Sequence, residues 1–109
     1  MSSVTTHVLD TALGRPAWGI RATLELDGTV VGTGVTDEQG RISEFRPAGV
    51  QLGRGNYRLN FGVAEYWRRE GREAFYPEIV VQFTIGSDTE HYHVPLLLSP
   101  FGYTTYRGS

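Results

Sequence analysis

Three histidines lie in short segments that alternate apolar and polar residues, one near the start of the chain and two near its end. His7 belongs to the segment 4–9, and His91 and His93 belong to the segment 90–98. A histidine with an ordinary pKa of about 6.5 can act as a general base near neutral pH. The grouping suggests a site built from both ends of the chain, although a surface or half-buried histidine with one hydrogen bond is the simpler alternative for each.

Two arginines and a serine add further candidate chemistry. Arg41 follows the turn-forming residues 37–40, and Arg107 lies two residues before Ser109. A guanidinium can donate two parallel hydrogen bonds to a planar polar ligand. Exposed arginines at strand ends are the alternative interpretation. Ser109 is not the nucleophile of a serine hydrolase motif, because the pattern Gly-x-Ser-x-Gly is absent.

A metal site is the other chemistry that the histidines permit. His91 and His93, with the distant His7, resemble the three-histidine ligand set of a zinc site. Zinc-bound imidazoles usually need a carboxylate to orient them, and Glu90 would lie on the opposite face of the strand. The chain contains no cysteine, which excludes disulfides, thiolate ligands and cysteine nucleophiles. The spacing of the histidines alone therefore gives only weak support for a metal site.

Alternation along the predicted strands places the histidines relative to the core. One face would carry His91, His93 and Pro95, and the other Tyr92, Val94 and Leu96. In the first strand, His7 lies opposite Val4 and Val8. If the apolar residues face the core, His7 and His93 both point outward. They could meet on one sheet if the first strand pairs with the penultimate strand.

Turn-forming residues recur every 8–12 positions, a spacing typical of an all-β sandwich. We predict eight strands, at 4–9, 20–26, 29–36, 41–45, 57–63, 79–85, 90–98 and 103–107. Asp27 and Gly28 suit the two positive φ angles of a type I′ hairpin. Loops are predicted at 10–18 and 47–55. Segment 64–70 lacks β-branched residues and precedes Gly71, which indicates about two turns of helix.

Composition restricts the class of protein. The chain has 109 residues, 39% hydrophobic and 20% charged, which fits one globular domain. A net charge of −2 without a basic stripe argues against a nucleic-acid-binding surface. No apolar run approaches the roughly 20 residues of a membrane span, and no signal peptide is evident. We expect a cytoplasmic protein that has no nucleic-acid or membrane partner.

Four segments resemble the 5-hydroxyisourate hydrolases of the transthyretin-related family. They are TTHVLD (5–10), TDEQGR (36–41), YPE (76–78) and EHYHVPLLLSPFGYTTYRGS (90–109). The last is the specific part, since the hormone-carrying transthyretins do not share its final four residues. The chief departure is the short hairpin at 27–28, which lies away from these motifs.

The resemblance implies the architecture and the site. The fold would be an eight-stranded, two-sheet transthyretin-like (prealbumin-like) sandwich with one short helix, forming one domain over 1–109. The chain would form a homotetramer, a dimer of dimers enclosing a channel, and would need no metal or organic cofactor. Catalytic residues by resemblance are His7, Arg41, His93 and Ser109; substrate-binding residues are His7, Arg41, Tyr106 and Ser109. His91 matches no catalytic position.

The implied reaction is hydrolysis of 5-hydroxyisourate to 2-oxo-4-hydroxy-4-carboxy-5-ureidoimidazoline in urate degradation. One histidine would deprotonate water and the other would orient it or assist the leaving nitrogen. Arg41 would stabilise the oxyanion, and Ser109 would position the water or a histidine. Which histidine is the base stays open. The alternatives are a transthyretin-like protein that binds or transports a small ligand without chemistry, and a purely structural sandwich.

Overall fold

Two β-sheets and one short helix make up the part of the chain that the computed structural model describes, residues 3–49 and 51–109. Met1 and Ser2, in the segment without an evident signal peptide, and Val50, in the predicted loop 47–55, lie outside it. The elements are β1 (Ser3–Asp10), β2 (Arg15–Pro16), β3 (Arg21–Leu26), β4 (Thr29–Val35), β5 (Arg41–Ile42), β6 (Gly55–Gly62), α1 (Ala64–Glu70), β7 (Ile79–Ile85), β8 (His91–Ser99) and β9 (Gly102–Thr105).

The predicted all-β, two-sheet fold with one helix is confirmed, but the described residues form nine strands instead of eight. The additional strand, β2, lies inside the predicted loop 10–18 and pairs with the end of β1. Two residues are too few to show alternation, and Pro16 is tolerated because β2 is an edge strand. The predicted strand 41–45 is shorter in the structure. Only Arg41 and Ile42, which form β5, pair with β1.

Strand order brings the two ends of the chain together. One sheet has the order β2-β1-β8-β9, with β5 also pairing with β1, and the other has the order β4-β3-β6-β7. The first strand therefore pairs with the penultimate one, which was the condition for His7 and His93 to lie on one sheet. This pairing is parallel and runs along all eight residues of β1. The start of the chain and its last segment thus belong to one continuous surface.

Alternating apolar residues from both sheets form the core. In β1, Val4, Thr6 and Val8 are buried while Thr5 and His7 are only half-buried. The fully buried large side chains are Ile20, Leu24, Tyr57, Leu59, Phe61, Val63, Tyr66, Ile79, Ile85, Leu96, Leu98 and Val8. Burial of an aliphatic or aromatic side chain contributes about 1.5–3 kcal/mol, so this set supplies the main stabilisation.

Two predicted turns have the expected backbone. Asp27 and Gly28 have φ angles of 51° and 82°, which suit a type I′ hairpin between β3 and β4. Gly40 has φ of 78° and ends the turn before β5. A Cβ at Gly40 would lie 2.3 Å from the carbonyl oxygen of Val8, so both its backbone angle and its surroundings favour glycine.

The helix is tied to the first strand by a buried carboxylate. Helix α1 ends at Gly71 in the left-handed conformation, and its Tyr66 and Trp67 are buried. The hydroxyl of Tyr66 donates to Oδ2 of Asp10 at 2.6 Å, and Arg72 donates to the same oxygen at 2.6 Å. No helix in the described part of the chain is both long and apolar enough to cross a membrane.

Candidate active site

The parallel pairing of β1 with β8 sets His93 beside Thr5. These two residues are direct partners in the register, and His7 is the partner of Pro95 two positions further along. Because side chains alternate along a strand, Thr5, His7, His91 and His93 all lie on the face opposite the core. The pairing of the first and penultimate strands thus places His7 and His93 on the same outer face of one sheet.

Arg41 reaches the same face from β5. This strand runs antiparallel to β1 with Arg41 directly opposite His7. The preceding turn holds its backbone, since Oδ1 of Asp37 accepts the N–H groups of Gln39 and Arg41, each at 2.9 Å. The bond from the Arg41 N–H is the largest cause that holds the pKa of Asp37 below its ordinary value. Asp37 is thus ionised at neutral pH and fixes where Arg41 leaves the turn.

The C-terminal segment closes over the other side of His93. The backbone N–H of Gly108 donates to the carbonyl oxygen of His93 at 2.8 Å, forming an isolated antiparallel bridge. A Cβ at Gly108 would lie only 2.6 Å from Cδ2 of His93. Glycine therefore lets the segment approach the imidazole and deliver Ser109 to its neighbourhood.

Together these elements line a polar pocket of about 240 Å³ that is open to solvent. Its lining residues are Thr5, Thr6, Arg41, Ile42, Ser43, His91, His93 and Ser109. Three of the four predicted catalytic residues, Arg41, His93 and Ser109, are thus brought together. The pocket presents an imidazole, a guanidinium and hydroxyl groups to one small polar ligand. These groups can act as a general base and stabilise an oxyanion, as hydrolysis of an amide requires.

The surroundings of His93 favour the neutral form of its imidazole, which can act as a base. Its imidazole is half-buried, and Nδ1 is 2.7 Å from Oγ1 of Thr5, which leaves Nε2 as the nitrogen that can reach a ligand. Desolvation is the largest cause that lowers the pKa of His93, followed by the charges of Arg41, His91 and His7. The neutral form, which can accept a proton, therefore persists to lower pH than in an ordinary histidine.

His7 is placed differently from the other predicted catalytic residues. It does not line the pocket, and its Nε2 lies 2.8 Å from the backbone carbonyl oxygen of Gln39. A carbonyl oxygen can only accept, so Nε2 of His7 carries a hydrogen and the imidazole anchors the turn that precedes Arg41.

Tyr106, predicted to bind substrate, lies outside this pocket. Its exposed ring lines a separate, mainly apolar groove of about 320 Å³ with residues of β7 and β8. The neighbouring Arg107 stacks on the ring of Tyr92 at 4.4 Å and pairs with Glu90 at 3.5 Å. The last four residues thus divide between two surfaces, and a substrate-binding role for Tyr106 stays a prediction.

Sequence reasoning gave no role to Thr5 and discounted His91 as a catalytic residue. Both line the pocket, and Oγ1 of Thr5 is 2.9 Å from Nε2 of His91 as well as 2.7 Å from Nδ1 of His93. The phase of the two strands already placed all three on one face, so a prediction of strand register would have found them. Asp37 could have been found from its position at the start of a turn, where its carboxylate can accept backbone N–H groups.

Neither the largest groove on the opposite sheet nor a metal cluster forms a competing site in the described residues. A larger groove of about 620 Å³ on the opposite sheet is lined by Arg21, Arg68 and Arg69. The carboxylate of Glu65 also lines this groove but is paired with Arg68 at 2.6 Å, and Arg69 stacks on Trp18, so the groove contains no histidine and no carboxylate without an ion pair. Within residues 3–49 and 51–109, no group of three His, Cys, Asp or Glu side chains is arranged to hold a metal ion.

Comparison with known proteins identifies the family. Residues 4–108 match the model of the HIUase/Transthyretin family. The Mus musculus protein named 5-hydroxyisourate hydrolase is 45% identical over 114 residues, which cover 99% of this chain and 96% of that protein. The structure of Klebsiella pneumoniae 5-hydroxyisourate hydrolase superposes with a TM-score of 0.89 at 36% identity, covering 98% of this chain and 99% of that one.

A hormone-binding relative has the same fold. Sea bream transthyretin in complex with thyroxine superposes with a TM-score of 0.88 at 32% identity, covering 96% of this chain and 93% of that one. The fold alone therefore does not separate enzymes from carriers. The matches in sequence and structure extend over nearly the whole chain, which belongs to the HIUase/Transthyretin family.

Proposed function

We propose that this chain hydrolyses 5-hydroxyisourate to 2-oxo-4-hydroxy-4-carboxy-5-ureidoimidazoline, a step of urate degradation. The observation that carries the proposal is the convergence of Arg41, His93 and Ser109 on one small polar pocket. Opening the six-membered ring requires an activated water and stabilisation of an oxyanion. The pocket contains a group suited to each task.

The chain is an enzyme. Relatives that match it over nearly its full length are named 5-hydroxyisourate hydrolases. The polarity of the pocket agrees with this. A carrier of an apolar hormone would present an apolar cavity, whereas this pocket is lined by imidazoles, a guanidinium and hydroxyls.

In the proposed mechanism His93 is the general base. Its Nε2 removes a proton from water, which attacks the carbonyl carbon of the ring amide. The lowered pKa of His93 keeps its ring neutral near neutral pH, so one of its two nitrogens can accept a proton. His93 is preferred over His7 because it lines the pocket, while Nε2 of His7 is occupied by Gln39.

The other residues stabilise and position. Arg41 donates hydrogen bonds to the ring oxygens and to the tetrahedral oxyanion. Ser109 holds the attacking water or the substrate through its hydroxyl group. His7 keeps the turn before Arg41 in place through the hydrogen bond from its Nε2 to the carbonyl oxygen of Gln39.

We further propose that residues 1–109 form one domain that assembles as a homotetramer. The match of the family model to residues 4–108 supports one domain. The outer face that carries the pocket would lie between two dimers, which would convert an open pocket into a closed channel. Exclusion of water by that contact would strengthen the hydrogen bonds of Arg41 to substrate.

The proposal is tested by the ultraviolet decay of 5-hydroxyisourate, generated in place by urate oxidase, with and without the protein. The protein is first treated with a chelator. Acceleration that survives chelation and disappears in His93→Ala would support the mechanism. A folded protein that binds the substrate without accelerating its decay would replace the enzyme by the carrier alternative.

A further inference from the structure

A continuous chain of hydrogen bonds leads away from the proposed base. Nδ1 of His93 is 2.7 Å from Oγ1 of Thr5, and that oxygen is 2.9 Å from Nε2 of His91. Nδ1 of His91 is in turn 2.6 Å from Oγ of Ser3. The chain therefore runs from the half-buried imidazole of His93, through Thr5 and the exposed imidazole of His91, to the exposed Ser3.

Strand register is what creates this chain. Ser3 is the direct partner of His91, and Thr5 is the partner of His93, across the parallel pair β1 and β8. Residues two positions apart point to the same side of a strand. Two hydroxyls from β1 and two imidazoles from β8 must therefore lie together on the outer face.

Counting hydrogens leaves two arrangements for a neutral chain. A hydroxyl has one hydrogen, so Thr5 can donate to only one of the two imidazoles and must accept from the other. If Thr5 donates to Nδ1 of His93, the single N–H hydrogen of the neutral ring sits on Nε2, which then cannot act as a base. If Thr5 accepts from Nδ1 of His93, Nε2 is unprotonated and Thr5 donates to His91.

We propose that Thr5 and His91 are positioning residues that hold His93 in the tautomer with an unprotonated Nε2 and share the proton that His93 takes from water. This inference rests on the proposed function, because it assigns a task to the pair only if His93 is the base. The arrangement also requires Nδ1 of His91 to donate to Ser3, so each hydrogen in the chain points away from His93 and towards Ser3.

The proton transfer balances without any further reactant. Nε2 of His93 takes a proton from water as its oxygen bonds to the carbonyl carbon. Nδ1 of His93 passes its hydrogen to Oγ1 of Thr5, while Thr5 passes its own hydrogen to Nε2 of His91. His93 is then neutral with a hydrogen on Nε2, and His91 is an imidazolium. The reverse shift returns the hydrogen to Nδ1 while Nε2 protonates the departing ring nitrogen.

The surroundings favour placing the charge on His91. His93 is half-buried and is faced by Arg41 from β5 and His7 from β1, as well as by His91 on its own strand. A positive charge on His93 is therefore poorly hydrated and repelled by the guanidinium. His91 is exposed, so its charged form is hydrated.

The tautomer of His93 can be measured without turnover. In the full-length protein labelled with ¹⁵N in histidine, we expect ring couplings that report hydrogen on Nδ1 of His93 at a pH where the ring is neutral. Thr5→Val keeps the shape and removes the hydroxyl, and the hydrogen should then shift towards Nε2. Thr5→Ser restores the hydroxyl and should restore the wild-type spectrum. Hydrogen on Nε2 in the wild type, or an unchanged spectrum in Thr5→Val, would overturn the inference.

Kinetics supply a second test. We expect Thr5→Val to lower kcat about 100-fold with little change in KM, and Thr5→Ser to recover most of the loss. His91→Gln should also lower kcat, because a neutral amide cannot take and return the proton that the imidazole of His91 accepts from Thr5. Thr23→Val, on the opposite sheet, is the matched control and should be unaffected.

The two proposals can fail separately. If the wild type does not accelerate decay of 5-hydroxyisourate, the proposed function fails, while the spectra still decide the arrangement of hydrogens. If the wild type is active but Thr5→Val and His91→Gln turn over normally, the relay is wrong and the hydrolase proposal stands.

Discussion

The backbone N–H of Gly108 donates to the carbonyl oxygen of His93 at 2.8 Å, so the C-terminal segment rests directly on the strand that carries the proposed base. The approach is close enough that a Cβ on Gly108 would lie 2.6 Å from Cδ2 of His93 and 3.2 Å from Cγ of Pro95. Pro95 is buried and cannot yield easily. The imidazole and the final residues therefore fix one another's positions.

Gly108→Ala should move the C-terminal segment away from the imidazole of His93 without unfolding the protein. The added methyl group must push either the imidazole or the segment that carries Ser109, and a displacement of about 1 Å in a site can lower the rate about 100-fold. We expect a large loss of kcat and a small change in thermal midpoint. Gly53→Ala is the control, since a Cβ there would meet nothing within 4 Å. Equal rates for the two variants would contradict this account.

Arg41→Gln should lower kcat by about 100- to 1,000-fold, as loss of an oxyanion donor does in other hydrolases. Arg41→Lys should recover little, because an ammonium cannot donate two parallel hydrogen bonds. The measurement is steady-state decay of 5-hydroxyisourate, with circular dichroism to verify the fold. Arg58→Gln on the opposite sheet is the charge-matched control. A fully active lysine variant would show that charge alone is needed.

The acid limb of kcat/KM should have its midpoint below the ordinary histidine value of about 6.5, because desolvation and the nearby positive groups lower the pKa of His93. Protonation removes the base, so activity falls as pH falls through this midpoint. Salt screens the charges of Arg41, His91 and His7 but not desolvation, so high ionic strength should move the midpoint upward only in part. A midpoint at or above the ordinary value would argue against His93 as the base.

Asp10→Asn should destabilise the protein by about 3 kcal/mol, since it leaves Arg72 without its buried carboxylate partner. Burial alone would raise the pKa of Asp10, but hydrogen bonds from Arg72, Tyr66 and the Leu13 N–H outweigh it and hold the pKa below its ordinary value. The ionised carboxylate therefore stabilises the fold above a pH of about 3.9, and this contribution is lost as pH falls through the lower folded-state pKa.

Urea unfolding of Asp10→Asn and wild type across acid pH tests this expectation. The difference in unfolding free energy should be largest near neutrality and shrink in acid. Arg68→Gln, which removes an exposed pair with Glu65, should change stability by less than about 0.5 kcal/mol. A difference that stays constant down to the lowest pH would show that Asp10 acts through packing and not through its charge.

Local patterns predicted the features that depend on neighbours in sequence. Alternation placed His7 and His93 on the outer face, and Gly71 and Asp27-Gly28 marked a helix end and a hairpin that the structure contains. Contacts between distant segments were not predictable in this way. Neither the hydrogen bond of His7 to Gln39 nor the place of Thr5 between two imidazoles follows from local periodicity, because each depends on register between strands.

Tyr106 shows the same limit at shorter range. The resemblance joined it to Ser109 as a substrate-binding residue, yet Tyr106 lines the apolar groove and Ser109 lines the polar pocket. The bridge between Gly108 and His93 determines which surface each one meets. Without that bridge the sequence gives no basis for choosing between them.

The parallel pairing of β1 with β8 has a consequence for synthesis of the protein. Thr5 and His93 are 88 residues apart, and Arg41 lies between them in sequence. During synthesis on the ribosome, β1 cannot pair with β8 until residues 91–99 have been made. Closing so long a loop is slow because its entropy is lost before the contacts form. A chain released early can therefore bury part of its second sheet, β3, β4, β6 and β7, while having no active site at all.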